Sequence, residues 1–292
     1  MENHEKKPIR NAFSVDVEEY FQVEAFSGLI DKKDWESIPP RAEQQTRRIL
    51  ELLESFQVRG TFFVLGWLAE RNPNLIREIH DAGHEIASHG FGHTMVTNMT
   101  PTEFRNDIRK SKTILEGITK NEIHGYRAPT FSIAEKTSWA YEILLEEGFR
   151  YSSSVFPILH DRYGWPEFGH DPRKMASNGN GELWEIPMSV GTIGPFRIPF
   201  GGGGYLRLYP LFLTRALFGS LEKEWKSAML YMHPWELDTA HPHVQAPLFR
   251  RLRHYVGIRK MEKKLVTLLQ SVKFDTVSKV LETIKTAEKA LP

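Results

Sequence analysis

The six residues Ser88-His-Gly-Phe-Gly-His93 place two imidazoles four positions apart, with a glycine on each side of a phenylalanine. So glycine-rich a stretch is a poor helix former, and the glycines let the backbone turn tightly. Far upstream, Asp16-Val-Glu18 ends an apolar run with two carboxylates two apart, which on a strand share a face. Burying such charges is costly without a partner. Each acid is therefore either a strand-end salt-bridging group or part of a general base and metal ligand pair. Two imidazoles and one carboxylate oxygen make three protein ligands with a fourth position open to water, the layout of a catalytic zinc site. The chain has no cysteine, so disulfides and thiolate metal sites are excluded and any metal must be held by nitrogen and oxygen.

The elements that must position these groups are legible as an alternation of strands and helices. Residues 12–18, 60–66, 84–88, 123–127, 149–154, 182–190 and 227–233 read as strands, with a short one at FDTV. Helices are expected over 41–56, from Pro73 to Gly83, from Thr100-Pro-Thr-Glu103 to about Gly117, from a Ser132/Glu135 cap to Gly148, near 210–221, near 258–271 and at the end. Such an alternation implies a parallel sheet, and seven or so units imply a closed or nearly closed α/β barrel. In such barrels chemistry sits at the C-terminal ends of strands. Asp16 and Glu18, His89, Arg127, Glu185 and His233 come from five strands and fall near one rim. The long irregular stretches are 19–40, 155–181 and 234–255.

Other patterns are decoys. His84-Glu85 resembles the start of HExxH, but the next histidine comes one residue late and the segment reads as strand. His80 and His84 are separated by the helix stop at Gly83, and His241 and His243 flank a proline, so all four are assigned structural roles. GGGGY at 201–205 lacks the Lys-Ser/Thr of a phosphate loop and reads as a flexible rim segment. The leucine- and phenylalanine-rich 209–221 is a core-facing helix or, alternatively, an interfacial one.

Lys plus Arg number 38 and Asp plus Glu 37, a net charge of +1, which gives no global field for nucleic acid. The N-terminal MENHEKKPIRNAF has no apolar leader and no stretch is long enough to span a bilayer, so a cytoplasmic protein without stable membrane insertion is expected.

SVDVEEYF (14–21), SHGFGH (88–93), YRAPTFS (126–132), LWEIPMS (183–189) and YMHPWEL (231–237) resemble, in order and spacing, the five motifs of the polysaccharide deacetylases, the NodB-homology group. The likeness covers residues 12 to about 235. YVGIRKMEKKL (255–265) is similar to the extension of a branch associated with exopolysaccharide and exosortase loci. The resemblance implies a distorted (β/α)7-type barrel spanning residues 1–292 as a single domain, with about 236–292 as an extension packed on it. It also implies a divalent metal, usually zinc, and removal of N-acetyl groups from the amino sugars of a polysaccharide or oligosaccharide. Carried over by motif, Asp16 would be the general base, Arg127 its orienting partner, His89 and His93 metal ligands, His233 the general acid and the Thr130 N–H an oxyanion donor. The family's first motif has two adjacent aspartates, the second a metal ligand. Here that place is Val17, and Glu18 is the candidate third ligand.

Amide hydrolysis on this plan needs no side-chain nucleophile, and neither a GxSxG elbow nor a cysteine is present. A cationic His233 would require a nearby carboxylate. Tyr163, Trp165, Tyr205 and Trp235 offer aromatic platforms for a sugar, and Glu185 stands as a further candidate substrate contact. Two other readings stay open: hydrolysis of a small cyclic amide or ureide, allantoinase-like and possible without metal, and an inactive carbohydrate-binding relative with Val17 as the lesion.

Overall fold

The computed structural model describes residues 11–159, 163–179, 181–193, 196–224 and 226–289. Residues 1–10, on which the expectation of no leader rests, lie outside the described residues. The first half of the chain alternates as β1 (Asn11–Val17), α1 (Ala42–Ser55), β2 (Thr61–Val64), α2 (Gly66–Arg71), α3 (Pro73–Asp81), β3 (Glu85–Ser88), α4 (Pro101–Thr119), β4 (Gly125–Tyr126), α5 (Ala140–Glu146) and β5 (Tyr151–Ser152). The second half brings β6 (Arg173–Asn178), β7 (Gly181–Glu185), β8 (Val190–Ile193), β9 (Phe196–Pro199), α6 (Gly203–Leu208), α7 (Leu211–Lys223), β10 (Met229–Met232), α8 (Leu248–Tyr255), α9 (Ile258–Ser271), β11 (Phe274–Asp275) and α10 (Val277–Lys289).

Seven strands run parallel in the order β10-β1-β2-β3-β4-β5-β7. β6 adds antiparallel at the β7 edge, and β11 pairs with the start of β1. Every residue of β1 is buried, as a strand covered on both faces requires, which is why it reads as a mostly apolar run, Ala12, Phe13, Val15 and Val17, broken before its acids only by Ser14. α1 covers the sheet through Thr46, Ile49, Leu52 and Leu53. α4 is started by the Thr100/Glu103 capping box, in which the Glu103 N–H donates to Thr100 Oγ1 (3.3 Å) and the Thr100 N–H to Glu103 Oε2 (2.8 Å).

The architecture is a distorted barrel, but among the described residues no ladder closes it between β7 and β10. The expected strand at 182–190 is two strands, β7 and β8, in separate sheets, with Pro187, which has no N–H to donate, lying between them. The stretch 155–181 is not wholly irregular, because Arg173–Asn178 forms the hairpin partner of β7. Ser132 is not a helix cap: its hydroxyl donates to the Pro129 carbonyl (2.6 Å) and accepts from the Val96 N–H (2.9 Å). The glycines at 201–203 are not loose. A Cβ on Gly203 would lie 1.9 Å from Glu236 Oε2, and one on Gly201 2.2 Å from the Met229 carbonyl oxygen. Among the described residues no helix is long and apolar enough to cross a membrane.

Candidate metal centre and active site

Four strands each deliver an ionisable group on the first residue past their last ladder position. Glu18 follows β1, His89 follows β3, Arg127 follows β4 and His233 follows β10. The rim is level because the ladder continues one hydrogen bond further: the His89 N–H donates to the Val64 carbonyl (2.9 Å) and the Arg127 N–H to the Ser88 carbonyl (2.9 Å). Parallel register therefore sets the side chains side by side.

Glu18, His89 and His93 offer ligand atoms that all lie within 4.8 Å of one another. Glu18 Oε2 is 2.7 Å from His93 Nε2 and 3.8 Å from His89 Nε2. It is nevertheless buried without a hydrogen bond of good geometry. Burial alone would raise the Glu18 carboxyl, but the imidazoles of His93, His233 and His89 hold it below its usual range. Burial, with the neighbouring His93, pushes His89 down to about 3, so its ring is neutral. His89 Nδ1 meets the Arg127 carbonyl at 2.9 Å, which makes Nδ1 the donor and leaves the Nε2 lone pair for a cation. A divalent ion fits this donor set: two imidazole nitrogens and one orphaned carboxylate oxygen.

The turn that presents His93 is held by Asp107, which accepts from the N–H groups of Phe91 (2.8 Å) and Gly92 (3.4 Å). Asp107 Oδ2 is 2.7 Å from where a Gly90 Cβ would sit, and Gly90 has φ +73°. His93 itself is left-handed, at φ +49°. That conformation costs a non-glycine residue about 1 kcal/mol or more and persists where the surroundings over-determine it.

Asp16 and Glu18 share a face, as their spacing requires. Asp16 Oδ1 accepts from Arg127 Nη1 at 2.6 Å. The Arg127 guanidinium is fully buried. It also donates to Ser14 Oγ (2.9 Å), the Ser153 carbonyl (3.1 Å) and Ser153 Oγ (3.1 Å), and it lies 4.0 Å over the Phe63 ring. On the other side, His233 Nε2 is 3.5 Å from Glu18 Oε1 and His233 Nδ1 is 3.4 Å from Glu236 Oε2. Burial opposes a charge on His233, but the hydrogen bond to Glu236 and the charges of Glu18, Glu236 and Asp16 raise it to about 9. Glu236 is fully buried and paired with Arg207 Nε at 2.7 Å. Although burial would raise its carboxyl, Arg207 first and then His233 bring it down to about 2.

Residues 35–147 match the family model described as polysaccharide deacetylase, and 153–282 match one described as a domain of unknown function, DUF3473. The chain carries a polysaccharide deacetylase domain. It is 38% identical over 86 residues to a peptidoglycan-N-acetylglucosamine deacetylase of Bacillus cereus, a span of 30% of this chain and 29% of that protein. It is 31% identical over 108 residues to a peptidoglycan deacetylase of Helicobacter pylori, 37% of this chain and 36% of that one. The chain thus spans about a third of the length of the curated relatives it matches. A solved structure from Mycobacterium smegmatis, described as a polysaccharide deacetylase, shares the fold with a TM-score of 0.65 at 24% identity, covering 100% of this chain and 95% of that one. Puue allantoinase shares it with a TM-score of 0.59 at 19% identity, over 96% and 91%.

The part matched as deacetylase domain contains His89, His93, Arg127 and Thr130, but Asp16 and Glu18 precede it and His233 follows it. The fold brings all six ionisable groups to one place. Thr130, three residues past Arg127, is half-buried and left-handed at φ +58°. Glu185 is a correction: it has no face toward a substrate. It is fully buried, and Oε1 accepts from the N–H groups of Ser154 (2.7 Å) and Val155 (2.9 Å) while Oε2 accepts from the Tyr141 hydroxyl (3.3 Å). Tyr163 and Tyr205 gather against Phe156, at ring distances of 6.3 and 6.1 Å, in the cluster that includes Tyr231. Trp165 packs apart from them on Phe168, 5.1 Å away. Trp235 is no open platform either, being stacked between His233 (5.2 Å) and His254 (4.1 Å).

Sequence reasoning missed Glu236, Arg207 and Asp107. Glu236 had a local signal: in His233-Pro-Trp-Glu236 the acid stands three residues after a cap position, with proline between. Arg207 had none, because its pairing with Glu236 is set only by the fold.

Proposed function

We propose that this chain hydrolyses the N-acetyl amide of amino sugars in a polysaccharide or its precursor, with a zinc ion held by Glu18, His89 and His93. One observation carries the reading: a buried carboxylate oxygen without a hydrogen bond stands among imidazoles, with an Arg-paired aspartate on one side and a cationic histidine on the other. The relatives named as peptidoglycan deacetylases support the substrate class. Zinc, when bound, polarises the amide carbonyl and lowers the pKa of water to about 7.

The chain's own residues do the rest. Asp16 takes the proton of the attacking water, and Arg127 keeps it oriented. The Thr130 N–H donates to the oxyanion as the carbonyl becomes tetrahedral. His233 gives its proton to the departing amine, and Glu236 holds the ring for that transfer. The products are acetate and a free amino sugar. Residues from about 236 onward act in this proposal as an extension of one domain, a reading supported by the β11–β1 pairing. A cytoplasmic location and an exopolysaccharide setting are parts of the same proposal, and cell fractionation tests the first.

The deciding experiment is acetate release from N-acetylglucosamine oligomers and from peptidoglycan by the purified chain, with Asp16→Asn as control. Release should stop on chelation and return with Zn²⁺. Opening of a cyclic ureide with no acetate from any amino sugar would replace this reading with the allantoinase-like one.

A further inference from the structure

Six large apolar side chains lie at the surface on neighbouring segments. Leu208, Phe212, Leu248, Phe249, Leu252 and Val256 are 60%, 76%, 68%, 76%, 60% and 41% exposed. Their segments are in contact: Arg207 Nη1 donates to the carbonyls of His254 (2.6 Å) and Val256 (2.8 Å), and a Cβ on Gly257 would lie 2.5 Å from the Arg207 carbonyl oxygen. The end of α8 therefore lies against the end of α6, and Phe212 stands at the start of α7, which follows α6 after the two extended residues Tyr209 and Pro210. Single exposed apolar residues are ordinary, whereas a contiguous group marks a surface with a partner.

α8 is an amphipathic helix with its faces reversed. His254 is buried and Arg250 half-buried on the protein side, while Leu248, Phe249 and Leu252 occupy the opposite side. Helical periodicity sets Arg251 and Arg253 on the two flanks of that apolar ridge. The charge around it is one-sided. Residues 239–261 hold five arginines and lysines and no acidic residue, and 201–221 hold, besides the buried Arg207 that Glu236 neutralises, one arginine and no acidic residue, in a chain of net charge +1. A convex apolar ridge with arginine flanks suits a lipid headgroup layer: the ridge sinks among the acyl chains and the guanidinium groups meet phosphates.

We infer that α8 and the α6–α7 junction dock this chain peripherally on an anionic lipid surface. His254 of α8 stacks at 4.1 Å on Trp235, which stacks at 5.2 Å on His233, so docking brings the catalytic rim close to that surface. The inference goes beyond the deacetylase reading and does not need it.

The test is flotation of the full chain with vesicles of phosphatidylcholine alone and of phosphatidylcholine mixed with phosphatidylglycerol. Binding to the mixed vesicles should exceed binding to the neutral ones about tenfold or more. The double variant Phe249→Ser/Leu252→Ser should lose about tenfold or more on the mixed vesicles, with its melting temperature as a check on folding. Arg251→Gln/Arg253→Gln should remove most of the preference for anionic lipid. No flotation, or flotation that neither variant changes, overturns the inference. A dimer in solution that Leu252→Ser dissociates also overturns it, by giving the ridge to a second copy of the chain. Flotation reads binding alone, so a failed deacetylase assay would leave this result standing.

Discussion

One strand carries buried polar chemistry at both of its ends, and the two ends differ in a single respect. At the lower end of β3, His84 Nδ1 accepts the Gly60 N–H (3.1 Å), and Glu85 accepts from Thr61 Oγ1, the Tyr151 hydroxyl (2.8 Å) and the Ser278 N–H (3.2 Å). At the upper end, His89 meets Glu18, whose Oε2 lacks a hydrogen bond. A cavity of about 460 Å³ opens at the lower end, lined in part by His80, His84, Glu85 and His124. Room and ionisable residues are thus present at an end where Glu85 and His84 Nδ1 already have protein partners. What marks the upper end is an incomplete set of partners among converging donors.

The sharpest way to break this contrast is to exchange histidines. His89→Ala should bring bound metal and turnover to background, while His84→Ala should keep both; elemental analysis beside acetate release reads the pair. Metal retained by His89→Ala would remove it from the ligand set. Next in size, His233→Ala should keep the metal and slow turnover by ~10²–10⁴, the range for losing a general acid. In the metal-free protein, NMR titration should find the His233 ring protonating near 9. Glu236→Gln should bring that value down, because it removes the hydrogen bond and a charge that favour the imidazolium.

The smallest effects belong to the lower end. Glu85→Ala should cost about 1–3 kcal/mol in urea unfolding by stranding its buried donors, with kcat/KM unchanged. Burial, with Arg59 adding to it, lowers His84 to about 4. The unfolded chain takes up that proton near 6.5, before the folded one does. Stability from this group is therefore complete above about 6.5 and lost as pH falls toward 4, by about 3 kcal/mol in all. His84→Gln should flatten that acid limb of the stability curve. An unchanged limb would assign it to other buried histidines such as His254, which burial first and then His241 lower to about 2.

The upper site was legible because strand ends and periodicity are local signals. Once β1, β3, β4 and β10 are placed, their next residues must meet at one rim. The same logic misassigned Glu185, since a strand-end acid can turn inward and hold the backbone of the neighbouring segment, here residues 154 and 155. Closure of the barrel was not legible, because whether β7 and β10 pair depends on how Pro187 breaks the chain between β7 and β8, a three-dimensional outcome. The 201–203 glycines were read as slack for a related reason. Nothing nearby in sequence announces that the Glu236 carboxylate fills the space beside Gly203.

The row of flat rings from His233 through Trp235 to His254 has a practical corollary for anyone trimming this protein. A chain cut at Asp238 would retain Glu18, His89 and His93, yet Trp235 would lose the imidazole that backs it, and Arg207 the carbonyls of Arg253, His254 and Val256 that hold its guanidinium beside Glu236. His233 would keep Glu18, Trp235 and Glu236, but the groups that hold Trp235 and Glu236 in place would be reduced. The smallest working version of this molecule has to run past α8, well beyond the last strand of the barrel proper.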